Sequence, residues 1–249
     1  MSESRFDRHL SSSNASIFEA ARSLEPEPLE VRNRRLSMSE GSAVAVGGWS
    51  KRAFDIVFSV VAILAFLVPM IYIAVALKVF SRGPIFFGHE RVGLNGETFR
   101  CLKFRTMVVD ADERLKALLA SDADVAAEFA ESRKIKNDPR IVPYVGSFLR
   151  KLSLDELPQF FNVLAGDMSV VGPRPVTEEE IRDYYGYKHA YLKARPGITG
   201  LWQISGRNGI DYSERVSLDK EYVSKWNFSR DISIILRTAA VVCLDRNGR

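Results

Sequence analysis

Asp155 and Glu156 stand side by side in "KLSLDELPQFFNVLAGDMSVVGPRP", residues 151–175, with Arg150 and Lys151 at its start and Arg174 downstream. A carboxylate can attack phosphorus and form an acyl phosphate, dividing one hard displacement into two easier ones. An anionic phosphate repels such a nucleophile. Guanidinium groups such as Arg150 and Arg174, together with a divalent cation, offset that repulsion by neutralising the phosphate oxygens. The second carboxylate can hold the cation or balance charge. A plainer reading also exists: Ser153 and Glu156 stand at S-x-x-E spacing, so the acids could serve only as a helix cap. Pro158 suits a first helical position, which would start the helix after the acids and leave them near its positive end. Capping and catalysis are compatible.

Such a pair needs elements to hold it, and the chain's most distinctive element is apolar. Residues 56–77 carry no charge, and a straight helix of that length reaches about 33 Å, enough for a bilayer's hydrocarbon core. Pro69 falls inside the run, where it removes a backbone donor and bends or breaks the helix. Lys51 and Arg52 precede the run, and Lys78, Arg82 and Arg91 follow it. Both ends therefore carry the cations that favour the cytoplasmic side. A spanning helix and a helix that kinks at Val68-Pro69 and returns both satisfy the sequence. Residues 1–50, rich in Ser, Glu and Arg, read as a disordered tail.

Beyond the apolar run, residues 83–107 alternate apolar and polar about Asn95-Gly96, the signature of a tight hairpin. Its second strand would place Lys103 and Arg105 on one face. Residues 110–134 read as helix interrupted near Ser121-Asp122, and 135–150 as loop and short strand. A short helix is expected over 158–164 with Phe160, Phe161 and Leu164 as its apolar face and Gly166 as its stop. Thr177 and Glu180 stand at capping-box spacing before another helix. Residues 193–209 read as a glycine-rich loop, then "YSERVSLDKEYVSKW" as helix, and "ISIILRTAAVVCL" as a core or membrane-surface helix. The fold class is α+β and helix-rich, a compact domain on the bilayer with a small β-hairpin.

Composition narrows the chemistry. The 249 residues carry a net charge of +4, which suits phosphorylated or anionic partners without choosing among them. The two cysteines, Cys101 and Cys243, have no metal spacing, and His9, His89 and His189 form no ligand set. Walker, dinucleotide, zinc-protease and serine-hydrolase motifs are missing. A nucleic-acid role would require a denser basic stripe, so no nucleic-acid partner is expected.

Four motifs then carry a resemblance. "KRAFDIV", "FRCLKFRTM", "RKLSLDELPQFFNVLAGDMSVVGPRPV" and "RPGITGLWQISGRN" occur in the order found in the bacterial sugar transferase family, and the match covers roughly residues 50–245. The resemblance is strongest to small members that initiate exopolysaccharide synthesis. It implies transfer of hexose-1-phosphate from a UDP-hexose to undecaprenyl phosphate with release of UMP, through a covalent intermediate on Asp155. Glu156 would be the catalytic partner, with Mg²⁺ at Asp155 and Glu156. Arg150 and Arg174 would bind phosphate, Lys103 and Arg105 would line the same pocket, and Asp219 matches a recurrent acid. The resemblance also implies a proline-broken re-entrant membrane helix over 51–82 and a catalytic domain over 83–249. The enzyme would then lie on the cytoplasmic face of the bacterial inner membrane, in contact with membrane lipid. Here Val68 precedes Pro69 where the family often has serine. Glucose and galactose both fit as the sugar, and a homo-oligomer stays open.

Two rivals make different predictions. A membrane-attached Mg²⁺-dependent nucleotide-sugar hydrolase would release free sugar phosphate without a lipid acceptor. A scaffold that keeps the motifs only as caps and turns would tolerate Asp155→Asn in cells.

Overall fold

The computed structural model describes residues 45–132, 135–136, 138–183, 188–206 and 211–244. The expected disordered tail lies outside them except for its last residues. The apolar run folds as one helix, α1, Gly48–Phe80, with Pro69 inside it rather than between two helices. Proline costs one donor and crowds the preceding turn, which can bend a helix without ending it. Lys51, Asp55, Ser59 and Ala62 of α1 are buried, and so are Met70, Ile73 and Leu77. Between these two buried stretches Leu64, Phe66, Leu67 and Val68 are 66%, 41%, 45% and 59% exposed.

The first stretch is polar, and each charge has a partner. Lys51 Nζ donates to Asp231 Oδ2 at 2.6 Å, and Asp231 also accepts from Tyr222 Oη and Trp226 Nε1. Asp55 Oδ1 accepts from Ser169 Oγ and the Val170 N–H, each at 3.0 Å. Lys51, expected among the cations before the apolar run, is 6% exposed, and its buried ammonium is met by the Asp231 carboxylate that such burial requires.

Strands β1 (Phe86–Val92) and β2 (Thr98–Phe104) pair antiparallel from Phe86↔Phe104 to Val92↔Thr98. Asn95 and Gly96 have φ of 56° and 85°, the two positive values expected of the turn. Helices α2 (Ala111–Ser121) and α3 (Ala123–Ser132) are separated where expected, since Asp122 Oδ1 accepts from the N–H groups of Asp124 and Val125. The stretch expected as loop and strand instead ends in helix α4, Val145–Lys151. A Cβ on its Gly146 would lie 2.5 Å from the Thr106 carbonyl. Close packing, not turn geometry, selects this glycine.

Helix α5 (Gln159–Ala165) ends at Gly166, φ 101°, as expected. Its buried face differs from the expected one: Gln159, Asn162 and Val163 point inward while Phe161 is 41% exposed. Strands β3 (Ser169–Val171) and β4 (Gly197–Thr199) form a second, parallel two-stranded sheet, with β4 inside the segment expected as loop. Helices α6 (Glu178–Asp183), α7 (Lys188–Leu192), α8 (Leu201–Ile204), α9 (Tyr212–Ser224) and α10 (Phe228–Leu244) complete the described chain. The expected capping box closes reciprocally: the Thr177 N–H donates to Glu180 Oε2 at 2.7 Å and the Glu180 N–H to Thr177 Oγ1 at 3.2 Å. Helix α10 puts one face into the core, with Ile234 1% exposed beside Tyr222 and Met168, and leaves Leu236 66% exposed on another.

Candidate functional site

The acids occupy a single 3-10 turn, Leu154–Glu156, just before α5. Ser153 sits in the left-handed region at φ 55° and its side chain caps nothing. The S-x-x-E cap is therefore not formed, and Glu156 is committed elsewhere. Lys103, near the end of β2, places its Nζ 2.6 Å from Glu156 Oε1 and 3.8 Å from Asp155 Oδ2. The side chains of Asp155, Glu156 and Lys103 are 13%, 31% and 37% exposed. Burial pushes the Asp155 carboxyl above its ordinary value; Lys103 pulls against burial, and Glu156 pushes with it. Burial works to lower the Lys103 ammonium, but Glu156 and Asp155 outweigh it and hold the group above its ordinary value. Arg150, in the last turn of α4, reaches Asp155 with a smaller, opposing charge effect.

What brings β2 to this turn is a residue that sequence reasoning missed. Asn162 Oδ1 accepts from the Leu102 N–H at 2.9 Å, and its Nδ2 donates to the Arg100 carbonyl at 2.9 Å and to Asp167 Oδ2 at 3.0 Å. The amide thus acts as a surrogate strand on the free edge of β2, the strand that carries Lys103. The signal for it was a polar residue at a position where α5's period expects an apolar one. Asn162→Leu leaves the part-buried Leu102 N–H and Arg100 carbonyl without their partner, and each lost hydrogen bond should cost about 1 kcal/mol. Thermal unfolding should show a clear drop. At the other end of α5, Arg52 of α1 donates to the carbonyls of Val163 and Leu164. Arg195 Nε donates to Gly166 O at 2.7 Å. Two guanidinium groups thus meet the negative end of the helix whose positive end follows the acids.

The other expected site residues lie apart from this cluster's hydrogen bonds. Arg105, 7% exposed, folds its Nη2 onto Ser81 Oγ and the Arg82 carbonyl, closing the turn after α1. It follows Lys103 by two residues but serves the connection. Arg174 donates its backbone N–H to Asp219 Oδ2 at 3.3 Å, and Asp219, on α9, is 2% exposed. The Arg174 guanidinium stacks on Trp202, 5.1 Å from the ring centroid.

Among the described residues no group of three or more His, Cys, Asp or Glu side chains is placed to hold a metal. Two adjacent carboxylates nonetheless match the sparse protein ligation of Mg²⁺, which completes its shell with water and substrate phosphate. Asp155, raised by burial even beside Lys103, is a carboxylate with room for more positive charge.

Fold and site together define an acid-bearing α+β domain built around a long apolar helix. The family described as Bacterial sugar transferase matches residues 46–245, and this chain belongs to that family. It is 47% identical over 209 residues to the exopolysaccharide production protein ExoY of Rhizobium meliloti, covering 84% of this chain and 92% of that one. It is 50% identical over 198 residues to the undecaprenyl-phosphate galactose phosphotransferase of Salmonella typhimurium, covering 80% of this chain and 41% of that longer protein. An undecaprenyl-phosphate glucose phosphotransferase from Komagataeibacter xylinus is 38% identical over 212 residues, with 80% and 36% covered.

Proposed function

We propose that this chain transfers hexose-1-phosphate from a UDP-hexose to undecaprenyl phosphate, as an initiating step of exopolysaccharide synthesis. The observation that carries the reading is a sequestered Asp155 beside the Lys103–Glu156 pair, in a chain whose relatives are named for this transfer. Asp155 attacks the sugar-bearing phosphorus, the bond to the bridging oxygen breaks, and UMP leaves with that electron pair. A phosphate oxygen of the lipid acceptor then attacks the same phosphorus, and the carboxylate is released. Lys103 and Arg150 lower the repulsion between the incoming carboxylate and the phosphate. Mg²⁺ held by Asp155 and Glu156 would add positive charge at the phosphate oxygens. Incubation with UDP-glucose or UDP-galactose, Mg²⁺ and polyprenyl phosphate should release UMP and give a trappable phosphosugar adduct on Asp155. An adduct on another residue refutes the assignment.

The proposal includes a membrane placement in which α1 enters the bilayer, bends at Pro69 and returns to the cytoplasmic face. Its support is the two buried stretches of α1, which rejoin the same body on either side of an exposed apolar segment. An apolar stripe beside the helix end fits the same placement: Tyr144, Phe148 and Leu152, at i, i+4 and i+8, are 84%, 55% and 40% exposed. The Phe80 and Tyr144 rings lie 6.2 Å apart, joining that stripe to α1. In a background without native cysteines, Ser50→Cys and Arg82→Cys should both resist a membrane-impermeant thiol reagent added from the periplasmic side. Labelling of either one alone would make α1 a spanning helix.

A further inference from the structure

A second group of cations lies around an indole, outside the Lys103 cluster. Arg174 and Arg215 place their Cζ atoms 5.1 Å and 5.0 Å from the Trp202 ring centroid. The Nε of each arginine is buried without a hydrogen-bond partner. Among the described residues neither guanidinium makes an ion pair or hydrogen bond.

Three elements hold this arrangement. Arg174 follows β3 and Trp202 follows β4, and the two strands pair at Ser169↔Gly197 and Val171↔Thr199. The connecting loops are pressed together at glycines: a Cβ on Gly172 would lie 2.3 Å from the Arg195 carbonyl, and one on Gly200 2.2 Å from the Gly172 carbonyl. Arg215 comes from α9, one turn before the Asp219 that accepts the Arg174 N–H.

A cation–π stack uses the flat face of a guanidinium and leaves its in-plane donors unspent. The two Nε donors are buried and unpaired, which is costly, and two positive charges about one ring repel. An anion beside them relieves that repulsion, and a phosphate group has oxygens that can accept from guanidinium donors. We propose that Arg215, held with Arg174 around Trp202, adds a second guanidinium to the phosphate contact already expected of Arg174. The phosphate belongs to a nucleoside diphosphate or to a polyprenyl phosphate, a choice of ligands that rests on the transferase reading. Arg215 is then a substrate-positioning residue, and Trp202 is the platform that fixes both forks.

The test is equilibrium binding, with UDP, inorganic pyrophosphate and undecaprenyl phosphate as probes, to full-length protein in nanodiscs, read by intrinsic tryptophan fluorescence and by ligand-induced thermal shift. Arg215→Gln should weaken at least one probe about tenfold or more, as loss of a charge-assisted bidentate contact does. Weakening confined to UDP and pyrophosphate assigns the site to the donor; weakening confined to the lipid assigns it to the acceptor. Parent-like affinity for all three probes overturns the site. Should Arg215→Gln unfold early, Arg215→Lys replaces it: it keeps the charge without the planar fork and should lose about threefold or more. Parent-like binding by that variant is equally fatal. Sugar transfer by the parent with binding unaffected in the Arg215 variants sinks this site alone. Phosphate binding through Arg215 without any lipid-linked product sinks the transferase reading alone.

Discussion

Asp155→Asn is expected to abolish sugar-phosphate transfer and, at neutral pH, to raise the melting temperature. The first effect follows from the proposed covalent chemistry: a carboxamide keeps the shape and would lose the nucleophile, so UMP release should fall on the order of a thousandfold or more. The second follows from burial, which holds the Asp155 carboxyl above its ordinary value of 3.8 despite the pull of Lys103. Between that ordinary value and the raised one the folded chain binds more protons at Asp155 than the unfolded chain does. Stability contributed by this residue therefore declines as pH rises through that window, and above it an ionised, desolvated carboxylate is carried at a cost. Asn carries no such charge. The gain in melting temperature should shrink as pH falls toward 3.8, where the parent's carboxyl is neutral as well. Turnover by the Asn variant at the parental rate would sink the covalent mechanism. Equal melting temperatures at pH 7 would show that Asp155 carries no strain in the resting fold.

How far the sequence alone reaches can be judged residue by residue. Local signals were read correctly where a few neighbouring atoms decide the outcome. Asn95-Gly96 made its turn, Thr177 and Glu180 closed their box, Asp122 separated two helices and Gly166 ended α5. Non-local partners were not legible. Lys51 reads only as a cation flanking the apolar run until Asp231 is placed against it, 180 positions away. Three-residue strands such as β3 and β4 are too short to show a period, and they exist because each has the other. The acids at 155 and 156 were visible as a chemical possibility. Their linkage to Lys103 required the hairpin, α5 and Asn162 to be assembled first. Arg215 had no signal at all, since its meaning comes from an indole and a second guanidinium on other elements.

Lys103→Met should be the next most damaging change in the Asp155 cluster, and its signature is a pH profile. In the parent the ammonium serves two carboxylates at once, 2.6 Å from Glu156 and 3.8 Å from Asp155. Without it, two acids remain adjacent, and burial is opposed at Asp155 only by a backbone hydrogen bond and, more weakly, by Arg150. The Asp155 carboxyl must then rise further, so less of it is ionised and ready to attack at any given pH. Loss of a positioned charge at the reacting phosphate is worth on the order of a hundredfold in rate. The acidic limb of kcat/KM should also move to higher pH, because the carboxylate now forms later. Lys103→Arg should restore much of the rate and return the limb toward its parental position, since it supplies charge with a different reach. A Met variant that lost rate while its acidic limb stayed in place would mean that Lys103 contacts the substrate without tuning the nucleophile. A Met variant with parental rate would remove Lys103 from the chemistry, leaving Arg150 to lower the repulsion.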